Sequence, residues 1–203
     1  MTQVATTQKR RNLILGIVGG VIVLLLMLAI VFDAGPEGET GQPVLTGEGL
    51  PRFEATQNDS AIGLPAPEVT GEGVAGGTVD IDPGGTPVAL VFLAHWCSHC
   101  QAEVPRVQQW LDAGGGVDGV EIIGVSTAIN SARDNYPPSQ WLEREGWAAP
   151  VLKDDPDGTV HATFGGGGFP YWVFVDADGN VAARSSGELD IATLEQFMQG
   201  IAE

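Results

Sequence analysis

The sequence predicts an α/β fold, a mixed β-sheet with helices on both faces. Three observations carry this. A continuous apolar run, Pro87–Leu93 (PVALVFL), reads as a strand buried on both faces, and Val120–Ser126 (VEIIGVS) as the next buried strand. Between them Val104, Val107 and Leu111 recur at i, i+3 and i+7, with Trp110 beside the stripe, the period of an amphipathic helix. Further on, Tyr171–Val175 and Val181–Ser185 flank Asp176-Ala177-Asp178-Gly179-Asn180, a hairpin turn signal. A β-α-β unit joins parallel strands, and the late hairpin adds an antiparallel edge.

The remaining elements follow from local signals. Thr78–Ile81 alternates weakly and reads as an edge strand. The first helix stops at Gly114-Gly115-Gly116. Ser139 is placed to cap a short helix, Gln140–Glu145, that ends at Gly146. Pro150–Leu152 is a short strand, and Asp157–Phe164 a helical turn or two. Leu189–Ile201 closes the chain as a helix with Leu194, Phe197 and Ile201 on one face. The order is βαβα(β)αββα, without an internal repeat.

Composition bounds the function. The 203 residues are 43% apolar, enough for one core. Against 26 acids stand 9 Lys and Arg, a net charge of −17, which argues against nucleic acid as partner. Two cysteines are too few for a disulfide-dense scaffold or a closed all-thiolate zinc site.

The N-terminus reads as a membrane device. Lys9, Arg10 and Arg11 precede Leu13–Phe32, 20 residues without charge. At 1.5 Å per residue that run spans about 30 Å, the hydrocarbon thickness of a bilayer. The positive-inside rule places residues 1–12 in the cytoplasm and everything after Phe32 outside. The alternative is a cleaved signal peptide, with a shorter apolar region and a small-x-small site. Both readings export the same domain. Removing the three leading cations leaves 6 against 26 acids in the exported part, a net charge of −20. That surface serves solubility, or steers a basic partner and repels anionic lipid. Residues 33–61, rich in Gly, Glu, Pro and Thr and without apolar period, read as a flexible linker. Asn58-Asp59-Ser60 fits a glycosylation triplet, a weak signal. The folded domain is expected over residues 62–203.

Both cysteines lie in Cys97-Ser98-His99-Cys100, at a strand-to-helix junction. That spacing brings two sulfurs to one face. Cys97 falls at the helix N-terminus, where the dipole and free N–H groups stabilise a thiolate. Cys100, one turn in, is more shielded. The asymmetry suits a redox pair in which Cys97 attacks and Cys100 resolves the mixed disulfide. A cationic imidazole at His99 would favour the Cys97 thiolate and make the couple more oxidising. His95 either adds to this or is an exposed loop residue. A static disulfide gains little from so short a loop. A copper(I) or other soft-metal transfer site on the same thiols is the alternative function.

The run Trp96-Cys97-x-x-Cys100-x-x-Glu103-x-Pro105 after a buried strand resembles the thioredoxin superfamily, in particular its membrane-anchored, extracytoplasmic TlpA/ResA-like thiol-disulfide oxidoreductases. The resemblance covers about residues 62–203, including the Ala66-Pro67 start and an insert around residues 130–147. It implies a thioredoxin-like sheet behind one N-terminal transmembrane helix. It implies that Pro105 interrupts the active-site helix, and that Phe169-Pro170 is the cis-proline loop that binds substrate backbone beside Trp96. It also implies that Glu103 is the acid near the thiols, placed to relay a proton to or from Cys100. No bound cofactor or metal is implied beyond the cysteine pair. The implied partners are cysteines of exported proteins, apocytochromes among them, and a membrane redox partner. Two departures stand out. Thioredoxin's buried Asp six residues before the first Cys is Val91 here, and Ser98-His99 differs from the dipeptides of reducing members, so the direction of electron flow stays open. Gly165–Gly168 lacks the Lys-Ser/Thr of a phosphate loop and reads as slack around the proline loop. His161 reads as a surface helix residue.

Overall fold

The computed structural model describes residues 38–82 and 84–202. The expected cytoplasmic tail, the apolar run 13–32 and the first residues of the linker lie outside them. Among the described residues no helix is long and apolar enough to cross a membrane.

The strands are β1 (Val44–Thr46), β2 (Glu68–Glu72), β3 (Thr78–Ile81), β4 (Val88–Leu93), β5 (Glu121–Ser126), β6 (Val151–Lys153), β7 (Tyr171–Val175) and β8 (Val181–Ser186). The helices are α1 (Ser98–Asp112), α2 (Pro138–Arg144), α3 (Thr159–Thr163) and α4 (Ile191–Ile201). A five-stranded sheet runs β6-β5-β4-β7-β8. β4, β5 and β6 are parallel, and β7 and β8 join antiparallel. This is the mixed sheet that the β-α-β unit and the hairpin signal predict.

β4 is buried at every position because both faces are covered. Val88, Leu90 and Phe92 face one layer, with Tyr171 and Val173 of β7 beside them, under Val69, Ile81, Val160 and Phe164. Ala89, Val91 and Leu93 face the other, under Val104 and Val107 of α1, Trp141 and Leu142 of α2, and Leu194, Met198 and Ile201 of α4. Each fully buried aliphatic or aromatic side chain contributes about 1.5–3 kcal/mol. The strand period of two therefore decides which layer each residue stabilises.

Several expectations are corrected. Thr78–Ile81 is an edge strand as expected, but of a second sheet rather than the main one. It pairs with β2, and β2 with β1, in a separate antiparallel sheet. That sheet covers the first layer. Ser139 does not cap α2, whose N-cap is Pro137. Instead the Glu39 carboxylate takes the Ser139 N–H (3.0 Å) and hydroxyl (2.7 Å). α4 begins two residues later than expected, with Asp190 accepting from the Thr193 N–H at 2.8 Å.

The largest correction concerns the linker. Over residues 38–61 it is not a free tether but a strap bound to the domain. Gly41 N–H donates to Asp154 O (2.9 Å), Leu50 N–H to Thr163 O (2.8 Å), and Phe53 N–H to Gly165 O (2.8 Å). Leu50 and Ala61 enter the core. Asp59, in the supposed glycosylation triplet, is a buried ion-pair partner of fully buried Arg184. Arg184 Nε donates to Asp59 Oδ2 at 2.7 Å, and its Nη1 to Pro51 O (2.8 Å) and Phe164 O (3.1 Å). The strap has no apolar period because backbone hydrogen bonds and one buried charge hold it.

Candidate functional site

The site forms where β4 ends. Leu93 leaves the sheet, and Cys97 N–H donates to Ala94 O at 2.9 Å, closing a tight turn. Cys97 is the N-cap of α1 in extended conformation (φ −79°, ψ 121°), so its sulfur stands at the helix N-terminus without an acid in the first turn. Strand, turn and helix thus aim the dipole's positive end at this sulfur.

The two thiols are unequal. Cys97 is partly exposed and its Sγ donates to Phe169 O at 3.6 Å. Cys100 is fully buried, within hydrogen-bond reach of Cys97. Burial pushes the Cys100 thiol far above the ordinary thiol range, and the neighbouring Glu103 charge adds to it. Both cysteines are free thiols in this structure.

Phe169-Pro170 is a cis peptide. Phe169 is half-buried and meets the Trp96 ring edge-on, with centroids 6.1 Å apart. Trp96 Nε1 donates to Ala128 O at 2.8 Å, and the Arg133 guanidinium lies 5.0 Å from its ring. Trp96, Cys97 and Phe169 therefore form one partly open rim. Pro105 lies inside α1. Gly165–Gly168 is not slack. A Cβ on Gly165 would stand 2.2 Å from Arg184 Nη1, and one on Gly167 2.2 Å from the Tyr171 ring.

Glu103 is 1% exposed and faces the second layer. Its Oε1 accepts from Trp172 Nε1 (2.9 Å) and from the Leu189 N–H (3.2 Å), and its Oε2 pairs with Arg106. Burial raises its pKa, partly offset by those donors and the Arg106 charge. The carboxylate acts on Cys100 through its charge.

The histidines are where expectation and structure part. His99 is exposed, and its Nδ1 meets Glu188 Oε1 at 2.6 Å, so that nitrogen serves a carboxylate rather than Cys97. His95 is not an exposed loop residue but fully buried. Its Nε2 accepts from the Asn130 N–H (3.2 Å), which leaves Nδ1–H to donate to Asp134 O (2.7 Å). Burial lowers its pKa. His161 is no surface residue either. Its ring lies 4.7 Å from that of Phe169, and Nε2 donates to Gly167 O at 2.8 Å. It backs the proline loop. Arg106, Glu188 and Trp172 also belong to the site. Arg106 was findable as the i+3 partner of Glu103, whereas Glu188 and Trp172 arrive from distant chain. Among the described residues no group of three or more His, Cys, Asp or Glu could hold a metal ion.

Comparison with known proteins agrees with this geometry. Residues 62–184 match the model of the AhpC/TSA family, and the chain belongs to that family. Thiol-disulfide oxidoreductase ResA of Oceanobacillus iheyensis is 28% identical over 182 residues, 89% of this chain and 86% of that protein. Thiol:disulfide interchange protein DsbE of Escherichia coli K12 is 26% identical over 124 residues, 61% of this chain and 62% of that protein. Among solved structures, a DsbF homologue from Corynebacterium diphtheriae superposes with a TM-score of 0.59 at 22% identity, covering 75% of this chain and 99% of that one. MTB DsbF does so with a TM-score of 0.53 at 26% identity, covering 65% and 93%. The fold is thioredoxin-like.

Proposed function

We propose that this AhpC/TSA-family chain is a membrane-tethered, extracytoplasmic thiol-disulfide oxidoreductase that acts on cysteines of exported proteins. The observation that carries the activity is the inequality of the two thiols. A partly exposed Cys97 sits at a helix N-terminus against the proline loop, with a buried Cys100 within hydrogen-bond reach. The names of the relatives support the same activity. The apolar run 13–32 behind three cations supports the tether and the compartment.

In the reducing direction the Cys97 thiolate attacks a substrate disulfide. One substrate sulfur leaves as thiolate, and Cys97 holds the other in a mixed disulfide. Cys100 then loses its proton and attacks the Cys97 sulfur. The Cys97–Cys100 disulfide forms, and the second substrate thiolate leaves. The substrate gains two electrons from the cysteine pair and leaves as two thiolates, which take their protons from solvent. The oxidising direction is the reverse. A membrane redox partner restores the starting state. Phe169 and Pro170 border the attacking sulfur, where an extended substrate segment lies beside Trp96. Glu103 receives the Cys100 proton, a transfer that buried Cys100 cannot make to bulk water.

The test is trapping in intact cells. Cys100→Ser should accumulate mixed disulfides with exported proteins, apocytochromes among them, and Cys97→Ser should accumulate none. A membrane-impermeant maleimide should label Cys97 in the reduced wild type without lysis. Absence of trapped species with Cys100→Ser would remove the exchange reading, and labelling only after lysis would remove the extracytoplasmic one.

A further inference from the structure

One continuous set of charged contacts joins the buried acid to the surface. Glu103 Oε2 pairs with Arg106 Nη2. Arg106 Nη1 donates to Glu188 Oε2 at 3.0 Å. Glu188 Oε1 meets His99 Nδ1 at 2.6 Å. Arg106 Nη2 also donates to Leu189 O at 3.0 Å, which fixes the guanidinium between the two carboxylates. Its Nε is buried without a partner. Two acids thus share one cation, and the outer acid also faces an imidazole two residues from Cys97.

We propose that Arg106 and Glu188 are positioning residues that act in opposite senses on the ionisation of Glu103, and with it on the resolving step at Cys100. This rests on the exchange reading and on Glu103 as the acceptor of the Cys100 proton.

The coupling follows from charge. A guanidinium stays protonated at all working pH values, so it conducts no proton and acts only through its field and hydrogen bonds. His99 Nδ1 lies at hydrogen-bond distance from Glu188 Oε1, so Glu188 is held between His99 and Arg106. At the Glu103 carboxylate the two outer charges add with opposite sign: Arg106 favours the ionised form and Glu188 opposes it.

The other groups facing this set are few. Glu103 meets Cys100 on its own helix, the neutral Trp172 indole from β7 and the Leu189 N–H from the loop before α4. Arg106 is also felt by Asp190 at the start of α4. Asp190 is exposed and occupied as the α4 N-cap, so it adds a constant acid rather than a switch. The outer members of the set are also partly or largely exposed, so screening keeps the coupling modest.

The experiment is a carboxyl NMR titration of Glu103 in the full-length reduced protein, with the resolving rate followed over the same pH range. Glu188→Gln frees Arg106 for Glu103 and should move the Glu103 midpoint down. Arg106→Gln should move it up. Each shift should be about half a unit to one unit, the low end for a charge lost beside a carboxylate, given the exposure. The acidic limb of the resolving rate should move in the same two opposite senses. Shifts of Arg106→Gln and Glu188→Gln in the same direction, or no shift in either, would overturn the proposal. Opposite midpoint shifts without any change in resolving rate would keep the coupling and remove Glu103 from the proton step. Loss of all exchange in the wild type would fail the exchange reading while leaving the titration to decide the coupling.

Discussion

Asp59→Ala should destabilise the domain by more than any surface charge deletion. The partner left behind is Arg184, fully buried and at the end of three acceptors: Asp59, Pro51 O and Phe164 O. Two of those are backbone oxygens and survive the change. The countercharge does not. Removing one member of a buried ion pair costs about 3–5 kcal/mol, because the remaining charge is uncompensated. For a domain of this size each kcal/mol lowers the melting temperature by roughly 2–4 °C, so the loss should be about 6–20 °C. Circular dichroism melts of the full chain at pH 7 measure it. Burial opposes the Asp59 charge, but Arg184 and the Ala61 N–H hold its pKa below the usual carboxylate range. A depressed carboxyl stabilises the fold above its unfolded pKa, about 3.9. That stability is lost as pH falls through the lower folded value, so the gap between variant and wild type should close in strong acid. Replacing both partners by apolar residues, Asp59→Leu with Arg184→Met, should recover most of the loss. A single variant that melts within 2 °C of wild type, a shift expected of about 1 kcal/mol or less, would refute the account of the strap as part of the folded unit.

Other predictions concern the site. Glu103→Gln should slow the resolving step by about a hundredfold or more, the scale of a lost acid–base group, while the first attack at Cys97 stays unchanged; quenched mixtures analysed by mass spectrometry would show the mixed disulfide accumulating. The folded pKa of Glu103 is raised, so its stability contribution is full below the unfolded carboxyl pKa and declines as pH rises toward the folded value. Melts of Glu103→Gln should lack that decline, and an equal decline would assign it elsewhere. Gly167→Ala forces a Cβ to 2.2 Å from the Tyr171 ring and should cost about 1–3 kcal/mol in denaturant melts. His161→Ala should raise KM for peptide disulfides more than it lowers the rate with a small neutral disulfide, since its ring supports Phe169 and touches neither sulfur.

Much of the fold was legible because its signals are local. Pro87–Leu93 needed only its own composition to read as a strand covered on both faces. The hairpin around Asp176–Asn180 was visible as turn chemistry, and Asp176 Oδ1 does accept from the Asp178 and Asn180 N–H groups at 3.0 and 2.9 Å. The cysteine pair was visible because two sulfurs three residues apart on a helix must share a face. The strap was not legible. Its holding groups lie far off in the chain, Asp59 with Arg184 and Glu39 with Ser139, and composition resembling a tether is compatible with fixed position when backbone groups do the binding. The histidines misled for a related reason. Neighbourhood in sequence put His99 beside Cys97 and left His161 on a surface. Folding gave His99 to Glu188 and placed His161 under Phe169.

The period of each element, the face each apolar residue takes, and the two thiols at a strand-to-helix turn are all written in the local chain. These depend on interactions within one or two turns of chain. The tertiary structure decided the environments: which thiol is buried, which histidine is buried, and that Glu103 shares Arg106 with Glu188. The physical reason is that burial and charge pairing are set by neighbours in space. This cysteine pair sits beside a carboxylate, an arginine and an imidazole whose contacts span 89 residues of chain.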